Sequence, residues 1–166
     1  VVRVGADGIF RRVKVRIWRS GSFSRLSPVQ PSGQALWLYL LTCPESCAIP
    51  GAIVAGRAQL AEALGWSLEA FDRCYSEVAS EGMSVADWSS RLVWLPRGPY
   101  ENPPISPNVV RAWAAVFRTL PDCGLKARIY QELRDFTKGL GQAFAEAFTE
   151  AFGKAFTKAL PKGRGE

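Results

Sequence analysis

The residues in this chain best suited to chemistry are cations, and they crowd one end. Arg11, Arg12, Lys14, Arg16 and Arg19 follow one another in a single short run. Residues 1–41 hold seven Lys and Arg against one Asp, while residues 42–166 hold fourteen cations and fourteen acids. The net charge of +6 therefore belongs to the first quarter of the chain. A concentrated row of ammonium and guanidinium groups suits a polyanion, nucleic acid first and an acidic membrane second. The alternative is a solvated strand face that keeps the protein soluble.

Other chemistry is scarce. There is no His anywhere, which excludes a catalytic triad and the usual imidazole acid–base pair. No G-x-x-x-x-G-K-[ST] or G-x-G-x-x-G run occurs, and Gly139-Leu140-Gly141 falls after a helix rather than after a strand. Glu62, Glu69, Asp72, Glu77 and Glu81 fit solvated helix faces, and no spacing pairs them. Cys43 and Cys47 flank Pro-Glu-Ser, but the second short-spaced pair that a structural zinc site uses is missing. Those two, with Cys74 and Cys123, read as small, partly buried thiols, Cys74 most clearly because it lies beside an apolar stripe. No enzyme, metal or cofactor is expected.

The elements that must position the cations follow from periodicity. Residues 11–18, RRVKVRIW, alternate strictly, which predicts a half-buried strand with Val13, Val15 and Ile17 inward and Arg12, Lys14 and Arg16 in a wet row about 6.8 Å apart. That spacing is comparable to two nucleotide steps of roughly 3.4 Å each. A helix over about Ser32 to Thr42 is apolar nearly all round and reads as the central core helix. Pro50-Gly51 then turns the chain into a short strand, Ala52-Ile53-Val54, able to pair with a later hairpin. A second helix, about Arg57 to Leu64, ends at Gly65, and Ser67 caps a third that buries Leu68, Phe71, Tyr75 and Val78. The outer face of this third helix is mixed in sign. Two strands, Met83 to Asp87 and Arg91 to Leu95, close a hairpin around Trp88-Ser89-Ser90, where Trp88 either reaches outward or folds back as packing.

These elements predict a mainly α fold with a small antiparallel β-sheet: a winged helix-turn-helix domain over 9–98 with extra C-terminal helices. The residues expected to touch nucleic acid are Arg11, Arg12, Lys14, Arg16 and Arg19 on the strand, Arg57, Ser67, Arg73 and Ser76 on the helix pair, and Ser89, Ser90 and Arg91 at the hairpin tip. A proline-stiffened connector from Tyr100 to Pro107 is expected to be extended, and with two packing helices, about Asn108 to Leu120 and Leu125 to Phe136, it fills 99–136.

Residues 137–166 carry a four-residue repeat, with Ala-Phe at 143–144, 147–148, 151–152 and 155–156 and Ala-Leu at 159–160. Each repeat advances 40° beyond a full turn, so Phe144, Phe148, Phe152, Phe156 and Leu160 wind across about 160° of a helix. The segment reads as a marginal amphipathic helix for self-association, partner docking or packing on the domain, or else as a low-complexity linker.

At 166 residues, 48% hydrophobic and with six Trp, the chain is long and apolar enough for a buried core. It has no membrane-spanning run and no signal peptide, so a cytoplasmic protein of a bacterial host cell is expected. It opens on Val1 rather than Met, which leaves a start upstream open.

The strings Val15-Arg16-Ile17-Trp18, Phe23 to Pro28, Leu36 to Thr42, Leu60 to Ser67, Val93 to Arg97, Asn102-Pro103-Pro104 and Ser106 to Val110 resemble prophage-encoded replication proteins. Taken together, residues 9–136 resemble the winged-helix part of DnaD-like primosomal proteins and phage replisome organisers. That resemblance implies DNA binding at an origin, self-association as a homo-oligomer, and recruitment of a replicative helicase or its loader. It extends to no recognisable helical C-terminal primosomal domain. Two other function classes compete. One is a non-enzymatic protein–protein module, a phage-encoded regulator or inhibitor that docks its partner on the winged helix. The other is membrane-surface binding by the Phe-rich helix, whose nearly neutral polar face (Glu146, Glu150, Lys154, Lys158) argues against it.

Overall fold

The computed structural model describes residues 13–156, with the side chains of 154–156 left out. Within it the chain is mainly helical around a small three-stranded antiparallel sheet. In chain order the elements are α1 (Gly33–Thr42), β1 (Ala52–Val54), α2 (Arg57–Leu64), α3 (Leu68–Ser80), β2 (Val85–Asp87), β3 (Leu92–Trp94), α4 (Gly98–Glu101), α5 (Pro107–Thr119), α6 (Gly124–Leu140) and α7 (Gln142–Phe156).

Local chemistry sets the α2–α3 join as expected. Gly65 closes α2 at φ 68°, the left-handed region that favours glycine, and the Ser67 hydroxyl accepts from Ala70 N at 3.1 Å to cap α3. The buried stripe of α3 runs through Ala70, Phe71, Cys74 and Val78. Leu68, expected inside, is 40% exposed, and Tyr75 is only half-buried. The stripe follows the three-then-four spacing of a helix seam, which favours Cys74 over Tyr75.

The sheet is the middle of the molecule. Its order is β1-β3-β2, so β3 has a partner on each side and all three of its residues are buried. Alternation sends neighbouring side chains to opposite faces. Ile53 and Val93 enter a core with Leu36, Tyr39, Leu40, Leu60 and Phe71 of α1, α2 and α3. Ala52, Leu92 and Trp94 enter a second core with Trp113, Phe117, Ile129, Leu133, Phe148 and Phe152 of α5, α6 and α7. The described parts of segments 9–98, 99–136 and 137–166 thus meet around one sheet.

Two expectations are corrected. Val15–Arg19 is a tight 3-10 helix rather than part of a strand, and Val13 and Val15 are exposed. A lone alternating run needs a partner strand, and none of the three pairs with it. Trp18 instead pulls the segment onto α1: its Nε1 donates to Thr42 Oγ1 at 2.9 Å, and its ring meets Tyr39 and Phe23 edge-on at 4.9 and 5.3 Å. The connector is also not extended from its start, because Pro99 favours the first turn of α4, which takes in Tyr100 and Glu101. Trp88 resolves inward, its ring 4.8 Å from Tyr75 and 6.1 Å from Phe71.

Of the two readings of the Phe-Ala repeat as helix or linker, the structure has the helix, packed on the domain. Phe148 and Phe152 in α7 are 1% and 0% exposed, while Phe144 is half-buried. The Phe156 side chain lies outside the described residues.

Candidate nucleic-acid interface

The 3-10 turn sets the geometry of the first cations. With three residues per turn, side chains three apart share a face, so Arg16 and Arg19 align while Lys14 precedes the turn. Lys14 and Arg16 are exposed and form no ion pair among the described residues. Arg11 and Arg12 lie outside the described residues. Arg19 is engaged: its Nη2 sits 3.6 Å from Glu45 Oε1, whose carboxylate also accepts from Tyr39 Oη at 3.2 Å. Burial first, then the charge of Glu45, raises the Tyr39 phenol well above its ordinary value.

Backbone contacts carry the path from there to the hairpin. The Glu45 carbonyl accepts from Val54 N at 3.3 Å at the end of β1, and Val54 stands opposite Leu92 of β3. The preceding residue, Arg91, has φ 54° and turns its side chain over the start of α2. There its Nη2 donates to Gln59 Oε1 at 2.5 Å, and its Nε lies 3.5 Å from where a Cβ on Gly56 would be. Gly56 offers α2 no side-chain cap, so the positive end of that helix faces this arginine's neighbourhood. Arg57 sits in the same turn and reaches across to α3, Nη1 to Asp72 Oδ2 at 3.0 Å.

The expected site residues therefore divide. Arg57 and Arg91 both stand at the start of α2, and Arg19 is linked to the end of β1 through Glu45, with Lys14 and Arg16 on the turn that carries Arg19. Arg73 and Ser76 are exposed on α3, with the Ser76 hydroxyl donating to Asp72 O at 2.9 Å. Ser67 is spent as the α3 cap. At the hairpin tip, Asp87 Oδ1 accepts from Ser89 Oγ at 2.6 Å and from Ser90 N at 3.0 Å. These bonds shape the turn and hold the Asp87 carboxyl below the usual range, the Ser89 hydroxyl contributing most. Phe148 and Phe152 are internal and belong to no open surface.

Glu45, Gln59 and Asp72 set how the cations can act, and sequence reading passed over that role. Each lies far along the chain from its arginine, and no local spacing in the sequence pairs them. A further carboxylate closes the other side of α3: a Cβ on Gly33 would come 2.5 Å from Glu77 Oε2, which places Glu77 against the start of α1, where a negative charge is favoured.

The cysteines are all free thiols. Cys43 Sγ donates to Leu40 O at 3.8 Å and Cys47 Sγ to Ile49 O at 3.7 Å. Among the described residues no cluster of His, Cys, Asp and Glu could hold a metal ion, and no helix is long and apolar enough to cross a membrane. No known family, curated protein or solved structure matches this chain.

Proposed function

We propose that the protein binds nucleic acid along the phosphate backbone, on the face where the N-terminal turn, the start of α2 and the hairpin tip meet. The observation that supports this is that Arg57 and Arg91, from distant stretches of chain, stand together at the start of α2, while Glu45 ties Arg19 to the neighbouring end of β1. The order helix, strand, helix, helix, hairpin supports the reading of a winged helix with β2–β3 as the wing. In that reading Arg91 is the wing's phosphate contact, and Lys14 and Arg16 extend the track. Arg57 and Arg19 add charge that Asp72 and Glu45 partly offset.

The replication setting, with a helicase or loader as partner, rests on the resemblance to DnaD-like proteins and replisome organisers alone. The competing reading, a protein-docking module, is favoured by one feature: α3 presents Glu69 and Asp72 beside Arg73 on its outer side, a face that disfavours phosphate.

Salt-titrated anisotropy on duplex and single-stranded DNA of unrelated sequence tests the proposal. Binding should weaken steeply with salt, and Arg16→Ala and Arg91→Ala should each flatten the slope by about one. Asp72→Asn releases Arg57 and should tighten binding. Affinity that is absent at low salt, or indifferent to both arginines, would leave the docking module as the better reading.

A further inference from the structure

The link between α6 and α7 is a single residue, Gly141. Its φ of 117° with ψ 171° is open to glycine and strained for any residue bearing a Cβ. Nothing lies within 4 Å of where that Cβ would be, so a side chain there meets no clash and its cost is backbone strain alone. Gly141 N donates to Lys138 O at 3.2 Å and Ala145 N to Gly141 O at 3.1 Å, and no further backbone bond spans the turn among the described residues. Helical character runs up to Leu140 and resumes at Gln142.

What α7 contributes is transferable. Its inward residues Ala147, Phe148 and Phe152 pack on α5 and α6, Phe152 against Phe117 at 5.4 Å and Phe148 against Tyr130 at 5.3 Å. One ion pair accompanies them, Arg111 Nε to Glu150 Oε2 at 3.0 Å. We infer that α7 is an exchangeable arm. Straightening Gly141 joins α6 and α7 into one helix, and α7 then docks in the α5–α6 groove of a second copy of this chain.

Three physical reasons select that occupant. The fused helix, ~50 Å from Gly124 to Phe156 at 1.5 Å per residue, would pair the end carbonyls of α6 with the first N–H groups of α7. An open monomer would bare Phe148, Phe152 and the groove together, so arms exchange in pairs rather than singly. Two fused helices running antiparallel would remake the α6–α7 contact between chains and cross at the hinge, where Gly139 and Gly141 leave room, with the two-fold symmetry of a closed dimer.

The test uses the full chain and sedimentation equilibrium after refolding at low and high concentration. Gly141→Ala strains the closed turn and suits the straight one. It should raise the dimerisation constant about a hundredfold, roughly tenfold for each of two hinges. Inserting Gly-Ser-Gly after Gly141 relaxes the closed turn and should lower it. Arg111→Glu and Glu150→Arg, refolded together, should form mixed dimers in preference to either homodimer, because only the mixture remakes both pairs across chains. This last arm needs no change at Gly141 and stands if Gly141→Ala does not fold. A Gly141→Ala protein that folds and stays monomeric overturns the inference. So does dimerisation unaffected by the insertion, or mixing without preference.

Discussion

Phe152→Ala separates a packed α7 from a passive tail. The ring is fully buried, stacked on Phe148 at 4.1 Å and tilted against Phe117 at 5.4 Å and Tyr130 at 6.2 Å. Those neighbours sit on α7, α5 and α6, so the hole left by the ring cannot close by moving one element. Truncating a buried Phe costs about 3–5 kcal/mol when the site collapses poorly. For a chain of this size each kcal/mol lowers the midpoint by roughly 2–4 °C, so a fall of about 6–20 °C is expected. Phe144, two repeats earlier and only half-buried, is the internal control, and Phe144→Ala should cost less than about half as much. Urea unfolding followed by far-UV circular dichroism, with thermal melts alongside, measures both variants. Equal and small losses at the two positions, each under about 1 kcal/mol, would refute the placement of α7 in the core.

The other core gives a parallel case: Phe71→Ala, at 0% exposure between Tyr75 and Trp88, should cost about 3–5 kcal/mol by the same urea assay, and an unchanged midpoint would show the α3 phase to be misread. Alkaline pH should also destabilise the fold. Burial, then the charge of Glu45, pushes the Cys43 thiol from an ordinary 9.0 up to about 12, and burial raises Tyr75 in the same direction. An acid raised on folding is deprotonated first in the unfolded chain, so stability is intact below about pH 9 and falls as pH climbs toward 12. Urea midpoints that stay flat from pH 8 to about 11 would contradict it.

How much was legible in the sequence depended on whether the deciding contact was local. The α2–α3 join was readable because Gly65 and Ser67 act within one turn of themselves. β1 and the hairpin were readable because turn residues bounded each short apolar run. The run 11–18 was not, since alternation describes one edge of a ladder and the partner strand is a separate fact. Trp18, whose indole needs both an apolar bed and an acceptor, decided that segment by reaching Thr42 and Tyr39. The repeat in α7 stated its periodicity plainly, but what it packs against is set by Phe117 and Tyr130 on other helices. The same limit holds for the site. Its cations could be counted from the sequence, whereas Asp72 and Gln59, 15 and 32 residues from the arginines they bond, could not be assigned to them.

Those partners bear on what kind of nucleic-acid reader the proposal describes. In a helix-turn-helix protein the second helix enters the major groove and supplies base contacts. In the winged-helix reading proposed above the corresponding helix is α3, and Asp72 and Glu77 on it are engaged with Arg57 and the start of α1 while Glu69 stands exposed. Carboxylates in the groove's approach would face the phosphates of both strands, and cytosine N4 is the main base group they could satisfy. Apart from Arg73 on α3, the exposed cations of the proposed interface lie on the turn of Lys14 and Arg16 and at the hairpin with Arg91. Under the proposed function this division favours backbone contact over base readout, so binding should be salt-sensitive and largely indifferent to sequence. It also leaves the outer side of α3 with a charge pattern suited to a basic protein surface. Phosphate binding and partner docking then use adjoining surfaces, joined where Arg57 pairs with Asp72.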